Sequence, residues 1–110
     1  MKIIICRHGE TNANIEKRLL GTTDEPLNEN GLRQAEILGK YLSQYTFHTI
    51  YSASLLRSSQ TAKAIAQFQK DSPVIVVPEL NERNFGYYEM KTLKTVFEEI
   101  PDLRKRWKEE

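Results

Sequence analysis

The chain is 110 residues long, enough for one domain with a single modest core. Its 39% hydrophobic and 28% charged residues fit a soluble globular protein. Basic and acidic residues number 16 and 15, so no overall field draws the chain to nucleic acid or to an anionic membrane, and any preference for phosphate must be local. The single cysteine, Cys6, cannot close an intramolecular disulfide, which makes a reducing cytoplasm the expected compartment. The apolar opening stops at Arg7, too soon for a signal peptide or a membrane span.

The elements follow in chain order. Residues 3–6, Ile-Ile-Ile-Cys, are continuously apolar and mostly β-branched, the pattern of a strand covered on both faces in a parallel sheet. Leu32, Ala35, Leu38, Leu42 and Tyr45 recur at helical steps, and residues 49–52 read as a short second strand. Ala62, Ile65 and Ala66 mark a second helix, which Arg57 opens, and residues 74–77 give a third strand. Leu93, Val96, Phe97, Ile100, Leu103 and Trp107 keep helical period around Pro101, which predicts two short helices meeting near Ile100. The order β, α, β, α, β implies an α/β fold with a right-handed, doubly wound parallel sheet.

This order gathers chemistry in one place. His8 follows the first strand, residues 52–57 the second and Glu82 the third, so all three face the carboxyl edge of the sheet, where ligand crevices form. At that edge, Arg7-His8-Gly9-Glu10-Thr11 sets a guanidinium beside an imidazole on a backbone that glycine makes permissive. A guanidinium fork matches two phosphate oxygens, and a neutral imidazole is a nucleophile toward phosphorus. An isolated histidine in a turn is ordinarily structural; strand placement and Arg7 argue for phosphoryl chemistry here.

Other chemistries fit poorly. A cysteine phosphatase places arginine six positions after its nucleophile, and position 12 is Asn12. With only His8 and His48 as imidazoles, no metal-binding spacing occurs, and there is no glycine-rich nucleotide loop, so neither metal nor cofactor is expected.

The motif has company: Arg18, Gly21, Asp24, Pro26, Leu27 and Gly31, then the run from Ser52 through Arg57 to Ala62, then Leu80-Asn81-Glu82-Arg83-Asn84-Phe85-Gly86. In this order and spacing they resemble the histidine phosphatase superfamily, the phosphoglycerate-mutase-like proteins. The resemblance implies a three-layer α/β/α fold with a mainly parallel sheet. It also implies that His8 takes up a phosphoryl group, that Arg7 and Arg57 clamp its oxygens, and that Asn14 and Gly21 touch phosphate or its neighbours. Glu82 matches the family's general acid, which calls for a raised pKa; Leu80, Phe85 and Tyr88 are expected to desolvate it. Glu79 and Glu89 are competing carboxylates that match less well.

The implied activity is phosphomonoester hydrolysis on a small phosphorylated metabolite, with no nucleic-acid or membrane partner. Mutase-type phosphoryl transfer is the near alternative, and the aromatic residue before Glu89 in Phe85-Gly86-Tyr87-Tyr88-Glu89 looks more like the phosphatase branch. Two positions depart from the pattern: Leu20 where the family often has a polar residue, and Met90 where it usually has glycine. The family's second histidine, which follows a later strand, is also missing. His48 starts its strand and so lies at the far end, ~13 Å from the His8 edge for four residues; without a second donor the chain reads alternatively as a non-catalytic phosphate-binding module. Relatives are about twice as long by this resemblance. The chain is therefore expected to be one incomplete, truncated domain over 1–110, with 90–110 the start of a substrate cap and an exposed sheet edge through which copies self-associate.

Overall fold

A computed structural model describes residues 2–102. The elements are α1 (Asn12–Ile15), α2 (Glu29–Leu42), β1 (Ile50–Ser52), α3 (Leu56–Ala66), β2 (Val74–Val76) and α4 (Leu93–Glu99), with 3-10 turns at Pro78–Leu80 and Gly86–Tyr88. No helix among the described residues is long and apolar enough to cross a membrane.

Local signals account for most boundaries. Asn28 caps α2 by accepting from Gly31 N at 2.7 Å, and Glu29 in the first turn and Lys40 in the last suit the helix dipole. Helix α1 rests on a capping box: Thr11 Oγ1 accepts from Asn14 N at 3.2 Å, and Asn14 Oδ1 accepts from Thr11 N at 2.9 Å. No side chain of its own caps α3; Asp24 Oδ1, far away in sequence, accepts from Leu56 N at 2.7 Å.

Helix α2 buries Ala35 and Leu42 of the stripe its period predicts and adds two glycines to it. Gly31, Ala35, Gly39 and Leu42 face inward, whereas Leu32 is 47% exposed and Tyr45 lies beyond the helix end. Small residues win because α3 and the backbone of residues 9–10 approach α2 too closely for larger ones. Helix α3 buries Ala62 and Ile65 as expected, and with them Arg57 and Thr61.

Strands β1 and β2 pair in parallel with Ile50 against Val74, Tyr51 against Ile75 and Ser52 against Val76, joined by the α3 crossover. Helix α3 packs on both strands and α2 packs on α3. The α/β class with a parallel sheet therefore holds, but the sheet is narrower than the sequence implied. Residues 3–6 form no strand: Ile3 is 74% and Ile5 91% exposed, and no backbone hydrogen bond joins this segment to another among the described residues. β-branched composition favours extension, but only a partner's N–H and C=O groups make a strand, and among the described residues none is offered.

Helix α4 starts at the Thr92 cap and stops at Glu99, just before Pro101; the second short helix expected beyond it lies outside the described residues. The segment leading into α4 runs antiparallel to residues 17–19, with Met90 N donating to Leu19 O at 2.7 Å and Leu93 N to Lys17 O at 2.7 Å. To make that turn, Met90 takes a left-handed φ of 65°. The departure from the family's glycine is thus a backbone cost of about 1 kcal/mol, since a Cβ crowds the carbonyl in this region. Met90→Gly is expected to raise the unfolding free energy by roughly 1 kcal/mol in a denaturant titration, against the usual sign for a glycine introduced into a chain.

Candidate active site

Main-chain packing, rather than a strand, holds His8. A Cβ at Gly9 would meet Gly31 O at 2.5 Å, and one at Gly31 would meet Glu10 O at 2.1 Å, so the two backbones touch directly. Hydrogen bonds fix the contact: Gly9 N donates to Thr61 Oγ1 at 3.1 Å, Glu10 N to Gln34 Oε1 at 2.9 Å, and Asn28 N to Glu10 O at 3.0 Å. Residues 9–11 are therefore pinned to α2 and α3 on both sides, and His8 stands at the end of the pinned segment.

The half-buried imidazole donates from Nδ1 to Gly9 O at 2.6 Å. A carbonyl only accepts, so Nδ1 carries the proton and Nε2 keeps its lone pair. Desolvation pushes the ring's pKa down from 6.5, the charges of Arg57 and Arg7 push the same way, and the Gly9 bond and Glu82 oppose them. His8 also borders two cavities. One, of about 270 Å³, is lined with Arg7, Gly9, Glu10, Asn14 and Gln34; the other, of about 150 Å³, with Arg7, Gly9, Gln34, Ala35, Leu38 and Thr61.

Arg7 is exposed beside the ring. Asn14 spends Oδ1 on the α1 cap, and its Nδ2 has no hydrogen-bond partner among the described residues, on a side chain that lines the larger cavity. Arg57 is only 1% exposed; one fork nitrogen donates to Thr23 O at 2.8 Å and the other to Gly21 O at 2.5 Å. Burial works against its charge, which Glu82, Glu89, Asp24 and Glu25 support. Gly21 has its carbonyl on Arg57 and its amide on Glu89 Oε1 at 2.8 Å, and a Cβ there would meet Arg83 O at 2.0 Å. Its main chain is thus fully used inside the protein, and its glycine serves close packing.

Glu82 is exposed, and so is Leu80 at 57%; the apolar enclosure expected around this carboxyl is not formed. Its position is set by its neighbour: Asn81 Oδ1 accepts from Ser54 N at 2.8 Å and Asn81 Nδ2 donates to Ser54 Oγ at 2.7 Å, tying the loop after β2 to the turn before α3. This places Glu82 near enough for its charge to act on both His8 and Arg57. Of the competing carboxylates, Glu89 accepts three backbone amides. Desolvation raises its pKa, but the Thr23, Phe85 and Gly21 bonds outweigh this and hold it below 4.5, the wrong direction for an acid. Cys6 is exposed and its thiol is pushed up, away from the thiolate, while His48 lies in the exposed bend before β1. Sequence reasoning missed Asn81, Thr61 and Gln34. Each acts through a long-range side-chain bond to a backbone amide, which leaves no periodic trace.

The chain is similar to known proteins in sequence and in fold. Residues 3–110 match the histidine phosphatase superfamily (branch 1), and the chain belongs to that family. It is 42% identical over 95 residues to the fructose-2,6-bisphosphatase TIGAR of Xenopus laevis, covering 83% of this chain and 34% of that protein. It is 33% identical over 107 residues to the adenosylcobalamin/alpha-ribazole phosphatase of Escherichia coli, covering 97% and 52%. Among solved structures, the mycobacterial glucosyl-3-phosphoglycerate phosphatase in complex with VO3 superposes with a TM-score of 0.85 at 28% identity, over 91% of this chain and 49% of that one. The chain thus spans a third to a half of the length of these relatives.

Two outcomes test the geometry. The His8 ring protons should titrate by NMR with a midpoint below 6.5; because the folded pKa is the lower one, His8's contribution to stability is full above 6.5 and declines as pH falls below that value. Arg57→Lys keeps the charge but cannot bridge the Gly21 and Thr23 carbonyls, so phosphate or vanadate binding, measured by titration, should weaken about tenfold to a hundredfold.

Proposed function

We propose that this chain carries the phosphoryl-accepting half of a phosphomonoester hydrolase that works through a phosphohistidine at His8. The observation behind this reading is the Nδ1–H bond from His8 to Gly9 O, which leaves an unprotonated Nε2 on a residue bordering a cavity shared with Arg7 and Asn14. The Nε2 lone pair forms a bond to phosphorus as the P–O bond to the alcohol breaks, and the carboxyl of Glu82 gives its proton to the leaving oxygen. Glu82, now ionised, takes a proton from water. The hydroxide oxygen bonds to phosphorus, the P–N bond breaks, and inorganic phosphate leaves with His8 restored. Arg7 and Arg57 oppose the negative charge that would otherwise repel the nucleophile.

The relatives named above support a small phosphorylated metabolite as substrate class, since each is named as a phosphatase of one. A second reading, phosphate binding without efficient turnover, draws on the exposure of Glu82 and on the position of His48 away from the site. Self-association through the uncovered apolar segment at Ile3 and Ile5 belongs to the same proposal, and sedimentation would show it as a mass that grows with concentration. A reactive phosphoryl donor should label the wild-type chain with an acid-labile, base-stable adduct that His8→Ala abolishes. Labelling that survives this substitution, or that maps to Cys6 or Ser54, overturns the mechanism.

A further inference from the structure

Residues 21–23 sit between two opposite charges. The carbonyls of Gly21 and Thr23 accept from the Arg57 guanidinium at 2.5 and 2.8 Å, and the amides of the same two residues donate to one carboxylate oxygen, Glu89 Oε1, at 2.8 and 2.9 Å. The other oxygen of Glu89 accepts from Phe85 N at 3.0 Å, which anchors the carboxylate to its own turn. The four bonded groups belong to four successive peptide units, 20–21 to 23–24, so it is the main chain of this short segment that links the carboxylate to the guanidinium. Gly21 allows no slack, because the carbonyl of Arg83 and the ring of Phe85 occupy the place of a Cβ.

We propose that Glu89 is a positioning residue for the phosphate site: through the backbone of residues 21–23 it fixes the Arg57 guanidinium in the orientation from which its charge acts on His8. This rests on the roles given to His8 and Arg57 above. The charges acting on the His8 ring are chiefly those of Arg57, Arg7 and Glu82, whereas Glu89 acts on Arg57. A change at Glu89 therefore reaches His8 by way of the loop and the guanidinium. It also gives Glu89 a reason to be saturated with amides while Glu82, seven positions earlier, is exposed.

The test uses the full chain, orthovanadate as probe, and NMR titration of the His8 ring. Glu89→Gln keeps the shape, removes the charge and turns one acceptor into a donor facing an N–H. Vanadate binding is expected to weaken about tenfold, and the His8 titration midpoint to rise toward 6.5 as Arg57 loosens. The double variant with Arg57→Lys should bind no worse than the weaker single variant, because both break one connected path. Glu89→Asp, which keeps the charge but is one methylene too short to bridge both segments, should give an intermediate loss and serves if Glu89→Gln does not fold. An unchanged His8 midpoint in a folded Glu89 variant, or losses that add fully with Arg57→Lys, overturns the proposal. If wild-type chain fails to bind vanadate, the phosphohydrolase reading falls while the His8 midpoint still decides the role of Glu89.

Discussion

The backbone contact between Gly9 and Gly31 is the constraint on which the site depends. Two chain segments meet there with no side chain between them, and a single Cβ on either would drive atoms to 2.5 Å or less. The contact seats the segment carrying His8 on the first turn of α2, where the Asn28 cap, Gln34 and, from α3, Thr61 supply the bonds that hold it. A nucleophile must be held to within a fraction of an ångström to be useful, and here rigid helices do this for a residue on an irregular segment.

Charge is distributed with equal economy. The chain is nearly neutral overall, yet Arg57 and Arg7 act together on one imidazole and add to the burial that chiefly lowers its pKa. The surrounding carboxylates divide the remaining work. Asp24 caps α3, Glu25 accepts from Ala13 N, Glu89 saturates amides of the 21–23 segment and the neighbouring turn, and Glu82 alone is left exposed near the ring. Three of the four are tied to main-chain N–H groups, so their charge is spent on geometry and supports Arg57 at the same time.

The two departures from the family pattern have different physical weight. Met90 lies at a left-handed backbone position where glycine is unstrained, so the chain carries a local cost at the turn that begins one residue after Glu89. Leu20 is half-buried and adjoins the segment that Glu89 and Arg57 hold, so it borders the site without contributing a polar group to it.

By itself the sequence determined the α/β class, helices α2 and α3 and the two paired strands, because hydrophobic period, β-branched runs and capping residues are local properties of the chain. It also marked Arg7, His8, Arg57 and Glu82 as candidate site residues, because motif spacing is local too, although the contact of Gly9 with Gly31, and not a strand end, holds the segment that carries His8. What only the tertiary structure decided are the features that need a second segment. Residues 3–6 have strand composition but find no pairing partner among the described residues, and glycines join Ala35 and Leu42 on the buried stripe of α2 because other segments lie close against it. The division of the carboxylates belongs to the same group: Glu82 and Glu89 are equivalent as letters, and they differ because three amides converge on one and water surrounds the other. Period and composition report what a residue prefers, while its partners are set by the path of the rest of the chain.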